Sequence, residues 1–133
     1  MKINGRVISK GIASGEVLVS SEPISFLGGI DPKTGVIIDQ TNSLKGKSIA
    51  GKVLVFPRGK GSTVGTYVVF QLKKNGVAPA AIINQESEII VAVGAIVSGI
   101  PMLDKLEDNG YQMLQGGMRV KVNADGGFVE KEG

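Results

Sequence analysis

Three short apolar runs, Val53-Leu54-Val55-Phe56, Ala80-Ala81-Ile82-Ile83 and Ile100-Pro101-Met102-Leu103, are separated by two segments of helical character. Uninterrupted apolar runs of this length, bounded by turn residues, mark strands covered on both faces. In the first intervening segment Val64, Val68 and Leu72 share a helical face with Tyr67. That segment stops at Asn75-Gly76, a pair suited to a left-handed helix end. The second, Ile89 to Val97, is apolar throughout and stops at Gly99. Strand, helix, strand in this order predicts right-handed crossovers and a parallel β-α-β-α-β centre.

Strands are expected to flank this centre. Ile3 to Ser9 and Glu16 to Ser20 read as strands joined through Gly11-Ile12-Ala13-Ser14-Gly15. Gly35 to Asp39 reads as a short strand, Leu44 to Lys47 as a turn, and the buried central strand as starting at Ile49. Met118 to Asn123 alternates, and Ala124-Asp125-Gly126-Gly127 turns it into Phe128-Val129-Glu130, a hairpin pattern. Twenty glycines in 133 residues fit so many tight turns. No linker, repeat or low-complexity tract interrupts the chain. The expectation is an α/β fold, a single compact β/β/α domain over residues 1–133.

The first buried run stops at Pro57 and opens into Arg58-Gly59-Lys60-Gly61-Ser62-Thr63 before the first helical segment. Ser62 or Thr63 falls where the first helical N–H groups lack partners. Glycines and a hydroxyl suit a plain strand-to-helix turn. Two cations do not, because the start of a helix is the positive end of its dipole. Arg58 and Lys60 there point to an incoming anion, a phosphate or carboxylate. The named nucleotide loops do not fit. Gly61 separates Lys60 from Ser62, which breaks the Walker pattern, and Gly59, Gly61 and Gly65 miss the dinucleotide spacing.

The chain has no cysteine and no histidine. That excludes a disulfide framework, a thiolate or imidazole metal site, a Ser-His-Asp triad and a phosphohistidine. Any chemistry here uses Ser, Lys, Arg, Tyr or a carboxylate, or groups from another chain. A serine hydroxyl whose pKa is near water's ~15.7 needs over about 11 kcal/mol to ionise at neutrality. A helix start supplies at most ~2 kcal/mol of it. A catalytic Ser62 therefore needs a partner to complete the site. The net charge of +3 is spread out and aromatics are 5% of the chain, so nucleic-acid binding is not expected. The start lacks a secretory pattern and Ile89–Val97 is too short to span a bilayer, so no membrane association and a cytoplasmic location are expected.

Gly28-Gly29-Ile30-Asp31 with Thr34-Gly35, Gly46, the stretch Gly51 to Ser62, Ala95 to Pro101 and the closing hairpin together resemble the swivel domain of the aconitase superfamily, in its stand-alone aconitase X form. The resemblance spans nearly the whole chain. It implies the small subunit of a heterodimeric hydro-lyase whose large subunit carries a 4Fe-4S iron–sulfur cluster, with no cofactor or metal on this chain. It further implies that the open iron draws off the substrate hydroxyl while Ser62 removes the neighbouring proton. Arg58, Lys60, Gly61 and Thr63 then hold the substrate or shape the loop, and Gly28, Gly29 and Asp31 line the site. The implied reaction is dehydration of (R)-5-phosphomevalonate to trans-anhydromevalonate 5-phosphate, in the archaeal mevalonate route to isoprenoids.

Two departures stand out. Lys60 replaces a frequent Arg and lacks its bidentate fork, and Asn42-Ser43-Leu44 stands where the family often has His-Pro-Leu. The alternatives are a dehydratase of cis-3-hydroxy-L-proline from the same group and a non-catalytic anion-binding swivel module. A phosphocarrier domain would need a histidine, which this chain lacks.

Overall fold

The computed structural model describes residues 1–132. In chain order it contains β1 (Lys2–Asn4), β2 (Arg6–Ser9), β3 (Ile12–Val19), β4 (Ile24–Ser25) and α1 (Phe26–Gly29), a single irregular turn. Then follow β5 (Val53–Phe56), β6 (Gly59–Lys60), α2 (Gly65–Lys74), β7 (Ala81–Asn84), α3 (Ile89–Ser98), β8 (Met102–Asp104), α4 (Gly110–Met113), β9 (Arg119–Asn123) and β10 (Phe128–Lys131).

The three apolar runs form neighbouring parallel strands. Val53 lies beside Ala81, Leu54 beside Ile82 and Val55 beside Ile83, and Ile83 in turn beside Leu103. Their burial on both faces explains the lack of polar alternation. Leu54, Phe56, Ile82 and Met102 pack under α2 and α3. Val53, Val55, Ala81, Ile83 and Leu103 point the other way, against Val120, Val122 and Val129 of the closing hairpin. The pleat sends alternate residues into two cores, and the layers are β, β, α. One strand joins the two β-layers: β3 pairs with β5 in parallel through Val17–Val19 and with β9 antiparallel through Ile12–Glu16. The sheet runs β1-β10-β9-β3-β5-β7-β8-β2.

Helix ends fall where their residues allow. Gly76 follows α2 at φ +74 and Gly99 closes α3 at φ +67, left-handed positions that glycine adopts without strain. Glu88 caps α3, its carboxylate accepting from the Ile90 and Val91 N–H groups at 2.8 Å each. The two helices touch where Gly94 meets Val69, a contact with no room for a Cβ, which would fall 2.9 Å from Val69 Cβ. Thr66 Oγ1 also donates to the Ile90 carbonyl at 2.8 Å.

Several expected boundaries move. Residues 35–39 form no strand but two isolated bridges, Ile30 to Ile37 and Val36 to Ser48. Their apolar side chains serve the helix-side core instead, with Ile30, Ile37, Leu44 and Ile49 all buried. The central strand starts at Val53 rather than Ile49, because Ile49 N–H is drawn to the Gly35 carbonyl at 2.9 Å. The strand expected at Glu16 begins at Ile12, since Ile12–Glu16 is the stretch that pairs with the hairpin.

At the far edge, Arg6 on β2 grips Asp104 on β8. Nε donates to Oδ1 at 2.9 Å and Nη2 to Oδ2 at 2.8 Å, and Ser87 N–H donates to Oδ2 at 2.8 Å. Burial pushes the Asp104 carboxyl up. The guanidinium and the Ser87 group outweigh it and hold the carboxyl below the usual range. Asp104→Ala leaves the Ser87 N–H without its acceptor and turns the half-exposed Arg6 to water, and is expected to cost roughly 1–3 kcal/mol of stability in urea unfolding near pH 7. The folded-state pKa is lowered, so this contribution is full above the ordinary Asp value of about 3.9 and lost as pH falls through the folded value. The two proteins should therefore converge in stability only at acid pH.

Candidate active site

The loop from β5 to α2 is pinned where it leaves the strand. Gln85 N–H donates to the Pro57 carbonyl at 3.1 Å, and Ile24 N–H to the Arg58 carbonyl at 3.2 Å. Gly59–Lys60 pairs in parallel with Ile24–Ser25, a two-residue ladder that ties the loop to the glycine-rich segment. Gly61 sits at φ +88, and a Cβ there would strike Ser25 Oγ. The path from Lys60 to Ser62 depends on this glycine.

Ser62 is exposed. Its Oγ accepts from Val64 N–H at 3.1 Å, and its carbonyl accepts from Gly65 N–H at 2.9 Å. The Ser62 hydroxyl therefore caps one turn ahead of α2, and the helix begins at Gly65 rather than at Val64. An N–H donor on Oγ favours negative charge on that oxygen. Thr63 is exposed, and its carbonyl accepts from Thr66 N–H at 3.2 Å. Arg58 and Lys60 are both exposed. Hydroxyl and cations thus lie on open surface at the carboxyl end of a parallel strand, where α/β sheets take ligands.

An open pocket of about 460 Å³ adjoins this loop, lined by Gly28, Gly29, Asp39, Thr41, Ser25 and Lys60 among others. Gly28 takes φ +82 on its wall. The structure thus brings together Lys60, Gly28 and Gly29 and sets Gly61, Ser62, Thr63 and Arg58 on the adjoining loop. Asp31 does not line this pocket: its Oδ1 accepts from Lys33 N–H at 2.9 Å and its carbonyl from Gly35 N–H at 2.8 Å, so it closes its own turn.

The acid that does line it is Asp39, which the sequence reading missed. Thr41 donates to Asp39 Oδ1 from its N–H at 2.9 Å and its Oγ1 at 2.7 Å. These bonds lower the Asp39 pKa, and the charge of Lys60 lowers it further. Its sequence mark is the Asp-x-Thr spacing of a side-chain turn. The facing of Lys60 by a residue so distant in sequence is a product of the fold.

An iron–sulfur cluster takes cysteine thiolates. This chain has no cysteine or histidine, and among the described residues no group of three acids is placed to hold a metal ion. The chain does not fit such a cluster. Among the described residues no helix is long and apolar enough to cross a membrane.

The sequence model of the aconitase X swivel domain matches residues 2–131. The chain belongs to the aconitase X swivel domain family. Relatives within it include the phosphomevalonate dehydratase small subunit of Methanosarcina acetivorans, 61% identical over 130 residues, covering 98% of this chain and 90% of that one. That of Thermococcus onnurineus is 58% identical and covers 99% of both. The crystal structure of Thermococcus kodakaraensis aconitase X in its holo-form superposes with a TM-score of 0.95 at 56% identity, over 100% of this chain and 99% of that one. A solution NMR structure of a UPF0107 protein gives a TM-score of 0.91 at 50% identity, over all of both chains. The swivel-domain fold and its β/β/α layering are therefore those expected from the sequence.

Proposed function

We propose that residues 1–133 act as the small subunit of a phosphomevalonate dehydratase, a hydro-lyase that removes water from (R)-5-phosphomevalonate to give trans-anhydromevalonate 5-phosphate. One observation carries the reading: an exposed Ser62 hydroxyl at a helix approach, two residues from Lys60 on the pocket rim, in a chain without imidazole or thiol. The names of the relatives support the reaction and a larger partner chain.

In this reading Ser62 Oγ takes the proton from the carbon next to the hydroxyl-bearing one. The C–H electron pair becomes the new π bond and the C–O bond breaks with its pair on oxygen. Ser62, an alkoxide when it takes the proton, passes one proton on to the departing hydroxide, which leaves as water, and is an alkoxide again. The 4Fe-4S cluster is assigned to the partner, where it supplies the Lewis acidity for that departure. This chain supplies the base, the Val64 N–H that favours charge on it, and the cation that holds the anionic group. Docking of the partner also removes water from Ser62, which strengthens each of these effects.

The two chains, purified together, decide the substrate. Turnover of (R)-5-phosphomevalonate and not of cis-3-hydroxy-L-proline is expected, and the reverse would replace the proposed activity. Lys60→Ala is expected to raise KM about 10- to 100-fold with a smaller change in kcat, as for a charge-assisted contact to the substrate anion. Lys60→Arg should recover most of it. An unchanged KM in Lys60→Ala would remove Lys60 from substrate binding.

A further inference from the structure

The paired helices α2 and α3 leave their outward faces bare. Tyr67 and Phe70 stand out from α2, with ring centroids 6.4 Å apart. Ile89, Val93, Ile96 and Val97 stand out from α3. Tyr67 is 58% exposed, Ile89 75%, Ile96 56% and Val97 61%. The close crossing at Gly94 and Val69 makes the two faces adjoin. Neither helix carries a carboxylate, and α3 carries no charge at all. Scattered exposed apolar residues are ordinary, but a contiguous uncharged face of aromatic and branched side chains is the composition of a permanent interface.

Charge decides what covers it. The approach to α2 carries exposed Arg58 and Lys60, and its last turn carries exposed Lys73 and Lys74. Glu88, the acid just before α3, is committed to its cap. Pairing this face with a second copy about a two-fold axis sets cation against cation. One axis direction brings Arg58 and Lys60 against Lys73 and Lys74, and the other brings each pair against itself. Like charges across an interface weigh against that partner. The face is also continuous with the candidate site, because exposed Val64 links Ser62 to the strip and Ile89 opens α3 beside the same loop.

We infer that the α2–α3 face is the docking surface for the large subunit, and that the large subunit meets it with an apolar patch rimmed by acidic residues. This rests on the proposed function for its partner. One contact then seats the strip and closes the site around Ser62, so that assembly and catalysis are coupled through α2.

The test uses this chain with the phosphomevalonate dehydratase large subunit of its own organism. The double variant Ile96→Glu/Val97→Glu is expected to weaken the complex by 100-fold or more in calorimetric titration. Ile89→Asp, with an acid in the first turn where a helix accepts it, is expected to weaken it at least 10-fold while keeping its melting temperature. Ile12→Glu, an exposed apolar position on β3 away from the strip, should bind within 3-fold of wild type. Hydrogen exchange along α2 and α3 should slow in the complex. Strip variants that bind like wild type would overturn the inference, as would a wild-type chain that dimerises on its own and is made monomeric by the same changes. The activity reading fails separately. If strip variants lose binding but the intact complex does not dehydrate phosphomevalonate, the surface stands and the substrate falls.

Discussion

Ser62→Ala, in complex with the large subunit, is expected to lower kcat by about 10³-fold while the complex assembles as before. Removing a positioned base typically costs 10²–10⁴-fold, and 10³ corresponds to roughly 4 kcal/mol at the transition state. The substitution leaves little other trace. Ser62 is exposed, and among the described residues its side chain bonds to Val64 N–H alone, which water can satisfy once the hydroxyl is gone. Stability should change by less than ~1 kcal/mol and KM by only a few-fold, since the anion is held by Lys60 and its neighbours. Equal loss in kcat and kcat/KM separates a group that acts in the transition state from one that binds substrate. A complex of Ser62→Ala with wild-type kcat would return Ser62 to the role of a plain cap.

Gly59→Ala is expected to cost roughly 2–4 kcal/mol in stability, a large effect for one methyl group. A Cβ at Gly59 would fall on Glu88 Oε1 and lie 2.5 Å from Val91 Cγ2. Overpacking of this kind costs typically 1–3 kcal/mol. The displaced Glu88 would also give up the Ile90 and Val91 N–H groups that it caps, a further ~1 kcal/mol. Both effects strike the start of α3 and the floor of the Ser62 loop together, so unfolding and activity should fall in parallel. Gly46→Ala is the contrast. Gly46 has φ +88 but nothing within 4 Å of its Cβ position, so only the left-handed backbone cost of about 1–2 kcal/mol applies. Denaturant midpoints of the two variants check this ordering, and equal losses would mean that Glu88 moves aside freely.

Much of this architecture was readable from local pattern, and the reason is physical. Strands buried on both faces show as plain apolar runs, so β5, β7 and β8 were evident, as were the helices between them with their glycine stops. The β4–β6 ribbon was not. Two-residue ladders such as Ile24–Ser25 against Gly59–Lys60 have no periodicity to read and exist because the loop and the glycine segment meet in space. Gly35 to Asp39 misled for the opposite reason: its apolar residues look like a strand, but the core uses them singly. The site divides the same way. Ser62, Arg58 and Lys60 declared themselves by residue type at a strand-to-helix junction. Asp31 follows from the resemblance, and its carboxylate closes a turn with Lys33, while Asp39 enters the pocket through tertiary folding toward Lys60.

In the proposed enzyme this chain lends its hydroxyl to a site that another chain completes. Titrating it into a fixed amount of cluster-loaded large subunit, with (R)-5-phosphomevalonate present and water loss recorded, tests that most directly. No turnover is expected from either chain alone, and the rate should rise until the two are equimolar, with Ser62→Ala occupying the same stoichiometry and giving about a thousandth of the rate. Turnover by the large subunit without this chain, or by this chain without the large subunit, would contradict it.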